Sequence, residues 1–248
     1  MDIKVTMLYD EGSLENTQLI GAKGFSALVD ADGRKVLFDT GLRDRYLRHN
    51  AEYLEVDADS VESVVISQTH PDNCRALEGF LDMRSSPVRV YAPAGVYDGK
   101  KGILSTKAGL SDENRTKAEL DHAEGWFDVV PGVTVTPYVQ TEGWSERFLV
   151  LQGRRLTVVS GRGVGGPAVV MDMVRDRFGR YPDAFIGSVL LEKKKKPVAE
   201  QYALDFSSRG CGKLMLNHAT GRDGMVNLRT HLGLRGVEDF YVGMTYKG

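Results

Sequence analysis

The sequence predicts an α/β sandwich: two mixed β-sheets packed face to face, with helices on the outside. Three observations lead there. Strand signals cluster early and are joined by hairpin turns, and strands then alternate with helices in both halves of the chain. Several strand runs are apolar on both faces, which calls for a sheet on one side and helices on the other. At 248 residues, 42% of them hydrophobic and 27% charged, the chain is long enough for one extended core. No linker or short repeat divides it, so one domain over 1–248 is expected.

Each element has its own signal. Residues 3–9 and 25–29 alternate as strands. Asp30-Ala31-Asp32-Gly33 turns the second strand into a third at 35–38, which ends at Asp39-Thr40-Gly41. Residues 44–54 have helical spacing, with Tyr46, Leu47, Tyr53 and Leu54 on one face. A buried-strand run at 61–67 stops in the polar segment Gln68-Thr69-His70-Pro71-Asp72-Asn73, and a short helix is expected from Cys74 to Leu81. A strand follows at 88–91. The stretch 98–124 is polar and rich in Gly and Lys, and reads as an excursion or lid.

In the second half, strand signals over 127–139 are broken by Pro131-Gly132 and Pro137. A hairpin joins 148–151 to 156–160 through Gln152-Gly153-Arg154-Arg155. The Gly-rich loop 161–166 opens a helix at Pro167, the favoured first-turn position. A strand at 184–186, a helix at 198–208 and a strand at 213–216 follow. Met225, Leu228 and Leu232 then mark the core stripe of a last helix.

Charge narrows the partners. Lys and Arg total 32 against 34 Asp and Glu, a net charge of -2, which argues against a dedicated nucleic-acid binder. No apolar run approaches the ~20 residues needed to cross a bilayer, and the opening residues lack the apolar core of a signal peptide. No membrane partner and a cytoplasmic location are therefore expected. The two cysteines, Cys74 and Cys211, make neither a disulfide framework nor a zinc ribbon.

Two segments carry a family pattern. Gly24-Phe25-Ser26-Ala27-Leu28-Val29, followed by Val36-Leu37-Phe38-Asp39-Thr40-Gly41, resembles the opening of the metallo-β-lactamase superfamily. Val64-Val65-Ile66-Ser67 leads into the place of that superfamily's His-x-His-x-Asp-His signature. Asn217-His218-Ala219-Thr220-Gly221 is similar to the closing His-Cys-Thr-Gly of one branch, and Glu15-Asn16-Thr17 fits the same branch. That branch holds the archaeal dihydropterin-ribofuranosylaminobenzene-phosphate synthase and its hydrolase-like relatives. The resemblance covers roughly residues 1–243, the 98–124 stretch least well, and implies the αββα sandwich of the superfamily.

The signature works by pointing imidazoles and a carboxylate at two metals. On this chain its positions read Gln68, His70, Asp72 and Asn73. The branch's Thr-Gly-Cys-Ser-His falls on Ser160-Gly161-Arg162-Gly163-Val164, and its Gly-Gly-Phe-His on Gly187-Ser188-Val189-Leu190. The resemblance thus leaves His70, Asp72 and His218 as the candidate catalytic or metal-binding set. These are drawn from both metal positions, and neither keeps the three protein ligands of a catalytic zinc. No metal and no other cofactor is expected, with zinc or another divalent ion held by these three as the alternative. Val164 is expected to fill the space of the missing imidazole.

Bland roles stand beside these. His70 and His218 could be hydrogen-bonded residues of a closed pocket, Asp72 the cap of the helix at Cys74, and Asp39 a loop-ordering carboxylate. Cys74 is more simply a buried thiol than a substitute ligand. Gly161-Arg162-Gly163-Val164-Gly165-Gly166 satisfies G-x-G-x-x-G, but no acidic residue ends the strand at 184–186, so the dinucleotide reading is set aside. Its backbone N–H groups beside Arg162 make an anion site, with Gly163, Gly165, Gly166, Gln68 and Asn73 as lining candidates. The run Lys193-Lys194-Lys195-Lys196 is either a solvated face or a rim to that site. Two readings follow: a non-catalytic relative binding an anionic, phosphorylated small molecule or a partner protein, or an enzyme using one metal, or His/Asp acid–base chemistry.

Overall fold

Alternating burial along the strands builds the two layers. The computed structural model describes residues 1–98 and 108–248. Among them, one sheet contains β1 (Ile3–Tyr9), β2 (Ser26–Ala31), β3 (Arg34–Phe38), β4 (Val61–Val65), β5 (Val88–Tyr91) and β6 (Ala118–Asp121), with β16 (Thr245–Lys247) at the other edge. The order is β16-β1-β2-β3-β4-β5-β6; pairing is antiparallel as far as β3 and parallel from β3 to β6. The β2–β3 hairpin turns through Asp32 and Gly33, at φ 51° and 90°, the two positive values that a tight hairpin needs.

The second sheet mirrors this arrangement. Its strands are β7 (Phe127–Val130), β8 (Val133–Val135), β11 (Leu149–Gln152), β12 (Leu156–Ser160), β13 (Ala184–Gly187), β14 (Lys213–Leu216) and β15 (Val237–Asp239). They lie in the order β15-β14-β13-β12-β11-β8-β7, with the β12–β15 half parallel. A separate hairpin pairs β9 (Val139–Thr141) with β10 (Trp144–Glu146).

Three apolar clusters hold the layers together. Between the sheets, Val5, Met7, Val29 and Phe38 meet Val135, Leu149, Val159 and Ile186. Outside the first sheet, Leu37, Val64 and Ile66 pack with Leu47 of α1 (Asp44–Tyr53) and with Leu77, Phe80 and Leu81 of α3 (Leu77–Leu81). Outside the second, Val158, Phe185 and Leu214 pack under α5 (Pro167–Phe178), α6 (Lys196–Ser208) and α7 (Gly221–Leu232). The predicted α/β sandwich of two mixed sheets flanked by helices is the observed architecture, and β4 and β12 lie inside their sheets.

Several local expectations change. The helix expected from Cys74 to Leu81 is two short ones, α2 (Pro71–Cys74) and α3. Of the expected lid at 98–124, residues 99–107 lie outside the described residues. In the remainder, α4 (Asp112–Lys117) runs straight into β6, which pairs with β5 as an edge strand of the first sheet. No helix among the described residues is long and apolar enough to cross a membrane.

Candidate active site

The loops after β3, β4 and β12 meet, and a buried carboxylate ties the first two together. Asp39, at φ 58°, accepts the Ser67 amide, the Ser67 hydroxyl and the Asn73 side-chain amide, each at 2.7 Å. Burial pushes its pKa up to about 8. Asp39 is therefore the loop-ordering group expected of it. Asn73 serves this network through Nδ2, while its Oδ1 has no partner.

His70 caps α2, where Asp72 had been expected to do so. The correction is geometric: His70 Nδ1 accepts the Asp72 amide at 3.2 Å, and a ring nitrogen two residues back reaches the first free N–H of that turn. Arg162 Nη1 stands 3.2 Å from the same Nδ1 and 3.4 Å from Asp72 Oδ2. Burial first, and then the nearby Arg162 charge, lower the His70 pKa to about 4. The ring is thus a neutral acceptor at Nδ1 near pH 7. Lys23 Nζ lies 4.0 Å from Asp72 Oδ2. Over this group sits Trp144, 45% exposed, its ring 5.4 Å from the His70 ring and 5.5 Å from the Arg162 guanidinium carbon.

His218 lies within electrostatic reach of His70 but bonds elsewhere. Its amide donates to Asp10 Oδ2 at 3.2 Å, its Nδ1 pairs with Glu11 Oε1 at 3.2 Å, and its buried Nε2 has no partner. Asn217 Nδ2 also donates to Asp10. Burial pushes the Asp10 pKa up to about 7 against the pull of His218, whereas the His218 bond lowers that of Glu11. A groove of about 450 Å³ opens beside Glu11 and Asn217.

The Gly-rich loop is an anion cradle whose anion belongs to the chain itself. Glu146, fully buried, accepts the amides of Arg162 (2.8 Å), Gly163 (2.8 Å) and Val164 (2.7 Å). These N–H groups are therefore not free for a ligand, which corrects the expectation for Gly163. Gly165 and Gly166 serve packing. A Cβ at Gly165 would stand 2.7 Å from Val139 Cγ1, and one at Gly166 2.9 Å from the Tyr202 hydroxyl. Ser188 Oγ donates to the Arg162 carbonyl at 2.7 Å, so the loop presents the guanidinium from a fixed backbone. Val164 is buried, yet the group found against His70 and Asp72 is Arg162. Lys193 to Lys196 are exposed, and Lys196 pairs with Glu200.

A zinc ion does not fit this donor set. His70 Nδ1 and Asp72 Oδ2 already face a guanidinium, and His218 Nδ1 faces Glu11. Among the described residues, no group of three or more His, Cys, Asp or Glu side chains is placed to hold a metal. Neither thiol compensates. Burial pushes Cys74 up to about 12 and raises Cys211 further, so both are poor nucleophiles. Ellman's reagent is expected to leave the native protein unlabelled and to modify both cysteines in denaturant; labelling of Cys74 in the folded protein would contradict this.

The sequence reading passed over Glu146, Arg147, Asp10, Glu11, Lys23 and Trp144. One signal was available for the first two. Glu146-Arg147 runs straight into the apolar stretch Phe148-Leu149-Val150-Leu151, where charges enter a core only with a purpose.

No family model matches the chain. An uncharacterized protein of Methanocaldococcus jannaschii is 27% identical over 127 residues, covering 48% of this chain and 47% of that protein, about half its length. Solved structures are similar over nearly the whole chain. Tm1679, a metal-dependent hydrolase of the β-lactamase superfamily, has a TM-score of 0.75 at 23% identity, covering 98% of each chain. The metallo-β-lactamase fold protein YhfI from Bacillus subtilis has 0.67 at 14%, covering 100% of each. A diphosphatase from the PhnP family has 0.61 at 14%, covering 100% of this chain and 98% of its own. These likenesses show that the chain has a metallo-β-lactamase fold.

Proposed function

We propose that this chain uses the metallo-β-lactamase fold without the family's metals, and that it binds an anionic, phosphorylated small molecule. The observation that carries the reading is the Arg162 guanidinium held against His70 and Asp72, two residues that match the family's metal ligands. A side-chain cation there supplies fixed positive charge of the kind that attracts a phosphoryl group. Lys23 adds a second cation at the rim, and neutral His70, with its proton on Nε2, is a donor rather than a base. The likeness of the His218 segment to that branch's closing motif supports placing the chain near the pterin-phosphate synthase branch.

Two measurements test this. Protein purified without chelators is expected to contain substoichiometric metal; two tightly held ions per chain would sink the reading. Arg162→Ala is expected to weaken phosphate-ester binding by about 1.5–3 kcal/mol, the scale of a charged hydrogen bond. Lys23 remains near Asp72 in this variant, so thermal stability should change less than binding. Equal calorimetric affinities of wild type and variant across a panel of phosphorylated pterins and sugars would refute the role of Arg162.

A further inference from the structure

Two arginines are buried in this protein, and they are treated oppositely. Arg84, 5% exposed, is spent on structure: its guanidinium donates to the carbonyls of Ala58, Val61, Ser86 and Pro87 and to the Ser86 hydroxyl. Arg147, 1% exposed, donates only from Nη2, to the Tyr138 hydroxyl, while its Nε and Nη1 have no partner. Its guanidinium carbon lies 4.1 Å from the Tyr138 ring centroid and 5.8 Å from that of Phe127. Asp121 and Glu124 act on it only through space; no described carboxylate is bonded to its free Nε or Nη1, and residues 99–107 contain no acidic side chain. A buried, unpaired guanidinium is costly, and two rings with one neutral hydroxyl do not offset that cost.

A second orphan lies next to it in the backbone. The Arg147 amide donates to the Ser67 carbonyl at 3.0 Å, and the following residue, Gln68, is 1% exposed with both amide atoms unpartnered. The hydrogen bond thus joins the two sheets at a point where each contributes a buried polar side chain with unpartnered atoms, Nε and Nη1 of Arg147 and both amide atoms of Gln68.

We propose that Arg147 and Gln68 form a buried oxyanion site, distinct from Arg162, that takes a phosphate group. The Arg147 fork supplies charge and paired N–H donors, and the Gln68 amide adds a neutral donor and an acceptor for a hydroxyl or protonated oxygen. Tyr138 is half-buried at the base of the β9–β10 hairpin. An incoming anion reaches the guanidinium by displacing the phenol from Nη2. This site does not depend on the reading of Arg162.

Inorganic phosphate is the probe, with thermal unfolding and calorimetry as readouts and chloride at equal ionic strength as control. Wild type is expected to bind phosphate saturably and to gain Tm with concentration. Arg147→Met is expected to lose that gain, yet to melt at the same temperature as wild type or higher without phosphate, because it removes an unpaired buried charge. A merely structural arginine would show the reverse: a lower Tm in the variant and no phosphate effect in wild type. Gln68→Leu should weaken phosphate binding at least tenfold while keeping the fold, and Arg162→Ala should keep the part of the phosphate-induced Tm gain that Arg147→Met removes. Undiminished phosphate binding by both Arg147→Met and Gln68→Leu would overturn the proposal. If Arg162→Ala alone loses it, the Arg162 reading stands and this one falls; if Arg147→Met alone loses phosphate while Arg162→Ala binds esters as wild type does, the reverse holds.

Discussion

Glu146→Ala is expected to lower folding stability by about 3–5 kcal/mol, on the scale of several buried N–H groups losing their acceptor together. The carboxylate closes the loop between β12 and α5 by accepting the amides of Arg162, Gly163 and Val164. The Gly163 and Val164 donors are enclosed, so without the carboxylate they face neither water nor protein. The milder Glu146→Gln keeps the shape but turns an NH₂ group toward donors, and should cost part of the same amount. Burial raises the Glu146 pKa more than the surrounding amides lower it. The folded state therefore holds this proton more tightly than the unfolded chain. The group's contribution is full below the ordinary carboxylate range and is lost as pH rises through its folded value. The stability gap between wild type and Glu146→Gln should thus narrow as pH rises. Urea unfolding across pH measures both effects, and a Glu146→Ala midpoint within 1 kcal/mol of wild type would show that the loop does not need its internal anion.

The fold was readable because its signals are local and repeated. Paired runs such as Val64-Val65-Ile66 and Val158-Val159 have no polar face, which forces a sheet between apolar layers. Asp32-Gly33 carries its own turn geometry. The edge strands were harder. β15 and β16 have three residues each and take their order from neighbours, β16 pairing with β1 from the far end of the chain. The site was legible by residue and not by partner. His70, Asp72, Arg162 and His218 were named, but which atom faces which depends on loops that meet only after both sheets form. Arg162 and Glu146 illustrate the limit. A Gly-rich loop before a helix signals an anion cradle, and nothing in its spacing tells whether the anion is a ligand or a carboxylate 16 residues upstream.

The same meeting of loops leaves Gly161 no room for a side chain. Its φ lies outside the left-handed region, so the requirement is for space rather than for backbone freedom. A Cβ there would stand 2.1 Å from Asp39 Oδ2, 2.6 Å from Asn73 Nδ2 and 2.7 Å from Ser67 Oγ. Those atoms form the hydrogen-bonded knot that orders the loops after β3 and β4. Asp39 and Ser67 are buried short side chains on fixed backbones, so none of the three can swing aside as the end of a long side chain would. Gly161→Ala must either part the two sheets at this edge or break bonds to a buried carboxyl. Overpacking and the lost hydrogen bonds together predict a loss of about 3–4 kcal/mol. Gly212→Ala is the control, since a Cβ there meets nothing within 4 Å and the backbone is not left-handed. That variant should be neutral or slightly stabilising, by up to about 1 kcal/mol, through the unfolded chain. Arg162 follows Gly161 directly, so phosphate-ester binding should fall in Gly161→Ala and persist in Gly212→Ala. Denaturant midpoints that coincide for the two variants would mean that the knot around Asp39 yields, and that the loops are not held as rigidly as these distances imply.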